Sequence, residues 1–385
     1  MKKILKSVLI TLLSLMIVIG AVVVWRLGLW LPGRVENPTI PETPGFEMVK
    51  DMQLGWNLGN TLEAHVDGID GLESETSWGN PVTTQEIINT VKAAGFKTLR
   101  IPVTWASHMG DAPDYTIDSA WLDRVQEIVD YGYSTGMYVV INLHHDDQYW
   151  FIPNKKHEEA AAAQFVALWE QVSERFSDYG ERLLFESANE PRVVGSFLEW
   201  GGGTISERAV VNRLSAKFVD TVRKSGGNNA QRWLVINTYG ASYEPVPMRS
   251  LKLPDDDRLI VSVHAYYPRG FAFDNDLEDR VFTEKVRKSV DKMLGQVYRT
   301  FIAKGIPVFM GEFGASTKDN ANERVKYAAH YITEAKRYGI ACAWWDNGYF
   351  LEDNEDVPPT FALLDRHKLQ WVYPEIAEAM RQAAE

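Results

Sequence analysis

The sequence predicts an α/β fold: a (β/α)8 barrel forming one large domain behind an N-terminal hydrophobic segment. Two observations point there. Eight short apolar runs rich in β-formers alternate with longer amphipathic stretches between Gln53 and Ala384, the pattern of a parallel sheet covered by helices. The first run is followed by Gly55-Trp-Asn-Leu-Gly-Asn60, which is neither of the glycine-rich phosphate loops that mark a doubly wound sheet. Eight strands in the chain that remains fit a closed barrel.

The elements follow in order. Met1–Lys6 carries Lys2, Lys3 and Lys6, and Ser7–Trp25 is then apolar and uncharged over nineteen residues. That is the layout of a secretory signal, and it is long enough to span a bilayer. No small-x-small cleavage site stands in Ile19-Gly-Ala-Val-Val-Val24, which favours an uncleaved anchor through residues 7–25 over a cleaved signal. The leading lysines put the N-terminus inside and the body outside the cytoplasm. Residues 26–45, with Pro32, Pro38, Pro41 and Pro44, read as a linker. The folded domain is expected over residues 46–385. Its strands are expected at Gln53–Leu58, Thr98–Val103, Tyr138–Leu143, Leu183–Ser187, Trp233–Asn237, Leu259–Val263, Pro307–Met310 and Ala341–Trp345. Helices are expected at Thr84–Ala94, Asp118–Thr135, His157–Ser177, Ser206–Lys224, Thr283–Lys304, Asn320–Tyr338 and Pro374–Ala384. Gly95, Gly136, Gly180, Gly305 and Gly339 stand where helices should stop. The fifth connection is poor in helix.

Composition narrows the function classes. The chain has 385 residues, 45% hydrophobic and 24% charged, which is ordinary for a globular protein. Its net charge of −12 is the wrong sign for nonspecific binding to nucleic acid or anionic membrane. A lone cysteine, Cys342, excludes a disulfide framework and a CxxC zinc site. Thirteen Trp and 16 Tyr suit the binding of flat ligands, though most such rings simply pack.

A barrel carries its chemistry at the C-terminal ends of its strands. Those ends hold Asn57 and Asn60, Arg100, His144-His145-Asp146, Asn189-Glu190, Tyr239, His264 and Tyr266, Glu312, and Trp345-Asp346-Asn347. Each alone has a structural explanation; polar or aromatic groups at all eight ends do not. Glu190 sits in Asn189-Glu-Pro191 and Glu312 in Gly311-Glu-Phe-Gly314, after strands four and seven, which face each other across a barrel. Cleaving a glycosidic bond needs one carboxylic acid to protonate the leaving oxygen and a second carboxylate across the sugar. A metal site from His144-His145-Asp146-Asp147 with His264 and Glu312 is the weaker alternative: HExxH is missing, and adjacent histidines on a strand point to opposite faces. No metal and no cofactor is expected.

Seven motifs in order carry a resemblance: Gly55-Trp-Asn-Leu-Gly-Asn-Thr-Leu-Glu63, Arg100-Ile-Pro-Val-Thr-Trp105, Ile141-Asn-Leu-His-His145, Asn189-Glu-Pro191, His264-Ala-Tyr266, Gly311-Glu-Phe-Gly314 and Trp344-Trp-Asp-Asn347. From about residue 46 onward the chain resembles glycoside hydrolase family 5, closest to its subfamily 4 branch of endo-β-1,4-glucanases, xyloglucanases and licheninases. The resemblance implies a retaining endo-acting enzyme on cellulose-type, mixed-linkage or xyloglucan chains, with Glu190 as acid/base and Glu312 as nucleophile. It implies that Arg100 and Tyr266 hold Glu312 ionised, Asn189 binds the sugar 2-hydroxyl, and His144 and His264 orient the sugar and the acid. Trp345 would floor the cleft, with Asn57, Glu63, His145, Tyr239 and Asn347 as contacts on the glycone side. Trp56 and Trp78 are either stacking platforms or packing. A β-mannanase on the same barrel and a sugar-binding pseudoenzyme are the alternatives. The expected partner is a β-glucan, and the expected state is an extracytoplasmic monomer, anchored or secreted.

Overall fold

The computed structural model describes residues 33–274, 279–350 and 360–385. The segment expected to be a signal or anchor lies outside them. Among the described residues no helix is long and apolar enough to cross a membrane. Eight parallel strands close into one barrel, each paired with its sequence neighbour and β8 with β1. They are β1 Leu54–Leu58, β2 Thr98–Ile101, β3 Tyr138–Asn142, β4 Leu183–Glu186, β5 Leu234–Ser242, β6 Leu259–His264, β7 Val308–Phe313 and β8 Ile340–Asp346. The doubly wound alternative is excluded by this closure.

Helices cover the outside: α1 Pro44–Met52, α2 Gln85–Ala93, α3 Ser119–Ser134, α4 Glu158–Arg175, α5 Ile205–Lys224, α6 Pro245–Ser250, α7 Arg269–Ala272, α8 Glu284–Thr300, α9 Ala321–Arg337 and α10 Pro374–Ala384. Their starts are set locally. Asp118 accepts from Trp121 N at the head of α3, and Thr204 and Glu207 make a reciprocal capping box on α5. The fifth connection holds only the six residues of α6. Gly95, Gly136, Gly305 and Gly339 have the left-handed φ of helix stops, whereas Gly180 does not. Two features were not expected. A small hairpin, β9 Leu364–Asp365 with β10 Gln370–Trp371, precedes α10. Helix α1 begins inside the stretch read as linker, because Pro44 occupies the first turn, where a missing N–H costs nothing.

The alternation of strand side chains builds the site. Outward residues such as Leu99, Val139, Phe185, Ile236, Val261, Met310 and Trp344 pack under the helices. Inward residues form layers. The lowest, Val140, Leu184, Val235, Ile260, Phe309 and Ala341, is plugged from below by Met48, Val49 and Met52 of α1. Burial of such side chains contributes roughly 1.5–3 kcal/mol each. Space there is tight: a Cβ on Gly55 would meet the Ala343 Cβ at 2.9 Å. Two residues further along, the inward positions turn polar.

Before α1 the chain lies on the barrel wall between α8 and α9. Arg34 pairs with Glu334 at 2.6 Å, Val35 N donates to Tyr338 Oη, and Arg337 donates to Val35 O at 2.6 Å. Thr39 N donates to Tyr298 Oη at 2.9 Å.

Candidate active site

The upper layer is centred on Arg100, which is wholly buried. Its guanidinium donates to Glu186 Oε2 at 2.6 Å, Asn57 Oδ1 at 2.9 Å, Asn189 Oδ1 at 2.7 Å and Glu312 Oε1 at 2.8 Å. Glu186 accepts in turn from Asn142 at 3.2 Å and Asn237 at 2.9 Å. A buried charge is tolerated only when paired and hydrogen-bonded in this way. Asn57 also donates to Gly311 O at 3.0 Å, tying β1 to β7 beneath Glu312.

Above this layer lies an open cleft of about 580 Å³. Glu312 projects into it from β7, where the ladder shifts register between Met310 and Phe313. Besides Arg100 it receives the Tyr266 hydroxyl on Oε2 at 2.9 Å. Burial and the Glu312 charge raise the Tyr266 phenol well above its ordinary pKa, so it stays a donor. Glu190 projects from just beyond β4, and His264 Nδ1 lies 3.0 Å from its Oε1 and 3.6 Å from Glu312 Oε1. Burial pushes the Glu190 carboxyl up, but the His264 hydrogen bond and charge, with Arg192 and His145, outweigh it and lower the pKa. A carboxylate oxygen of each glutamate and a ring nitrogen of His264 all lie within 4.8 Å of one another. Among the described residues this grouping could itself take a cation; of the metal site weighed from sequence it contains His264 and Glu312 but none of His144–Asp147.

His144, His145, Asn189, Tyr239, His264, Tyr266, Trp345 and Asn347 line the cleft with the two glutamates. Burial keeps both histidines of the pair neutral, His144 well below its ordinary pKa and His145 down to about 3. The two rings lie 4.5 Å apart at 89°. This corrects the expectation of opposite faces: β3 ends at Asn142 and His145 opens a 3-10 turn, so strand alternation no longer applies. Trp345 stacks parallel to His144, at 5.8 Å and 10°.

Asn57, Glu63 and Arg100 sit beneath the cleft instead of lining it. Glu63 is buried, its oxygens accepting from the N–H groups of Asn60 and Thr61, and desolvation raises its pKa to about 7. Trp56 is packing: fully buried, it donates to Asp346 at 3.0 Å under Arg366. Trp78 is half-buried, donates to His65 O and lies 5.1 Å from the His65 ring. Sequence reasoning missed Glu186, Asn142 and Asn237 below the cleft, and Arg192, Trp200 and Tyr243 around it. Each of the first three is a polar residue within an apolar strand, a signal that gains meaning only once the closed barrel sets which positions face inward.

Two carboxyl groups facing each other across a cleft at this separation, each with its own fixed donors, define a barrel glycosidase. Residues 62–351 match the family described as Cellulase (glycosyl hydrolase family 5). The chain is 45% identical over 340 residues to the cellulase/esterase CelE of Acetivibrio thermocellus, an alignment covering 88% of this chain and 40% of that one. It thus spans about 40% of CelE's length. Among solved structures, it superposes on a GH5-4 broad specificity endoglucanase from Clostridium acetobutylicum with a TM-score of 0.83 and 41% identity, over 88% of this chain and 99% of that one. It superposes on a GH5 lichenase from Caldicellulosiruptor sp. F32 with a TM-score of 0.85 and 41% identity, over 92% and 99%. The chain belongs to glycoside hydrolase family 5.

Proposed function

We propose that this chain is a retaining endo-β-1,4-glucanase in which Glu312 is the nucleophile and Glu190 the acid/base. The observation that carries the assignment is the pairing of donors. Glu312 is held by a permanent cation and a phenol, which suits a carboxylate that attacks. Glu190 has a single imidazole contact, His264 on Oε1, which leaves its other oxygen open to the cleft and suits a group that gives and takes a proton. Carboxylate oxygens of the two glutamates within 4.8 Å of each other support the closely spaced pair of retaining enzymes, about 5–5.5 Å between carboxyl groups, over the wider pair of inverting ones.

In the first step Glu312 attacks the anomeric carbon as Glu190 protonates the departing glycosidic oxygen, giving a glycosyl-enzyme. In the second, Glu190 removes a proton from water, which displaces Glu312 and restores the original configuration. Asn189, fixed by Arg100, faces the cleft to receive a sugar hydroxyl. Trp345 offers its ring as the cleft floor. His145, Tyr239 and Asn347 supply further contacts.

The substrate proposed is a soluble β-1,4-linked glucan, with mixed-linkage glucan or xyloglucan tolerated. The similarity to a broad specificity endoglucanase and a lichenase supports that choice over mannan. Glu312→Ala with added azide tests the roles: turnover should vanish and return with an inverted product, and inverted rescue of Glu190→Ala instead would exchange the two assignments. Product lengths at early times from β-glucan, xyloglucan and mannan test the substrate, since release of monosaccharide alone would defeat the endo claim.

For location, the uncharged run Ser7–Trp25 behind three lysines supports an exported, anchored enzyme. Partition of the native protein with membranes, N-terminal peptide retained, is the expected result; a soluble product beginning near residues 21–30 would make the segment a cleaved signal.

A further inference from the structure

Arg192 follows the Asn189-Glu-Pro191 turn and is nearly buried at the edge of the cleft. Its guanidinium is shared among four neighbours. It donates to the Asp147 carboxylate from the loop after β3, to Glu199 at 3.0 Å, and to the backbone oxygen of Glu190 at 3.2 Å. Its plane underlies the Trp200 ring, with the guanidinium carbon 4.3 Å from the ring centroid. Finally, it stands 3.8 Å from Glu190 Oε2. Trp200 is 61% exposed and lines the cleft with Tyr239, Tyr243 and Glu244, on the side from which Glu190 projects.

We propose that Arg192 is a positioning residue that couples a leaving-side sugar, stacked on Trp200, to proton donation by Glu190. The inference rests on the assignment of Glu190 as acid/base. Since His264 occupies Oε1, Oε2 is the oxygen left to carry the proton to the glycosidic oxygen. As the C1–O bond breaks and the bond from Glu312 to C1 forms, the proton leaves Oε2 and a carboxylate remains there. At 3.8 Å the guanidinium makes no hydrogen bond to Oε2, which leaves that oxygen free to carry the proton, yet it is close enough for its charge to favour the carboxylate being formed. Asp147 and Glu199 offset part of the charge, so the donor is not stripped beforehand; His264, His145 and Glu312 are the other ionisable groups facing it. One face of Trp200 rests on Arg192, and a glucosyl unit on the other face presses the ring onto the guanidinium. Sugar occupancy and the position of the charge beside Oε2 are thereby tied together.

The test compares soluble β-glucan, whose leaving group needs a proton, with 2,4-dinitrophenyl β-cellobioside, whose leaving group does not. Arg192→Gln should lower kcat/KM on β-glucan by about 30-fold or more, part of the factor that general acid catalysis supplies, and change the aryl glycoside by less than about threefold. Arg192→Lys should recover several-fold of the loss on β-glucan. Trp200→Ala should raise KM for β-glucan about tenfold, the size of one lost stack, and also lower kcat on β-glucan several-fold; an unchanged kcat there would overturn the coupling. Equal losses on both substrates, no loss on either, or no recovery in Arg192→Lys would overturn the proposal. Full β-glucan activity in Glu190→Gln would instead overturn the acid/base assignment itself, so the two failures are told apart.

Discussion

The lower and upper inward layers of the barrel differ by two residues of travel along each strand, about 6.6 Å, and by everything in their chemistry. Val140 gives way to Asn142, Leu184 to Glu186, Val235 to Asn237 and Ile260 to Ser262. The lower layer is apolar and sealed by α1; its contribution is burial, which is nondirectional and tolerant of shape changes. The upper layer is a hydrogen-bonded set around one arginine, whose guanidinium donates to Glu186, Asn57, Glu312 and Asn189. The lower layer supplies stability, and the upper spends some of it to hold carboxylates away from water. Substitutions should therefore divide cleanly between the two.

The largest expected effect is on the chemistry. Glu312→Ala should cut turnover by about 10⁵-fold or more, as loss of a covalent nucleophile does, with little change in thermal midpoint; a loss below about 100-fold would deny it that role. Next, Glu186→Ala should both destabilise and inactivate. It leaves the buried Arg100 without one carboxylate partner, a loss of roughly 3–5 kcal/mol, read by denaturant midpoint, and it frees the guanidinium that fixes Glu312 and Asn189. Stability lost with full kcat would show that Arg100 does not position the site. Third, Met52→Ala in the plug should cost about 2–5 kcal/mol and leave kcat within a factor of about two. A large kcat change there would mean that the layers are coupled.

The smallest effect separates the regions by pH. Burial raises Glu63 and Asp146, near the cleft, to about 7. Carboxyl groups raised in the folded state bind protons that the unfolded chain releases, so their contribution is full below about pH 4 and is lost as pH rises through 7. On the barrel wall, Glu334 is lowered to about 2 despite burial, by the hydrogen bonds of Arg34 and Arg337. Its contribution is present above its unfolded pKa and is lost as pH falls through 2. Asp146→Asn should flatten the decline in thermal midpoint between pH 5 and 7 (the range between the two pKa limits), and Glu334→Gln should remove part of the acid loss. An unchanged slope in Asp146→Asn would show that this carboxyl does not titrate there.

The same comparison explains what was legible in the sequence. All eight strands and the seven long helices were readable, because apolar runs and their capping residues are local signals. Glu190 and Glu312 stood out because proline and glycine punctuate them at the strand ends. Glu186, Asn142 and Asn237 did not, because a strand read as one apolar run has no assigned inward phase; their role exists only once the barrel closes and brings them to Arg100. Arg192 and Trp200 were hidden for another reason. Glu199 and Trp200 share the loop of Arg192, but Asp147 comes from the loop after β3, and no spacing within one segment encodes that meeting. The start of the domain was misread where Pro44 served as a helix opener.

The segment from Gly33 to Thr43 gives the molecule a handle. It runs from the wall between α8 and α9 down to the plug at the closed end of the barrel, held by Arg34, Val35 and Thr39. The cleft opens at the other end, above Arg100 and the upper layer. Anything joined ahead of Gly33, whether a bead, a resin or a carrier protein, would therefore grip the enzyme from behind and leave its mouth facing outward, toward a chain too long to diffuse into a crowded support.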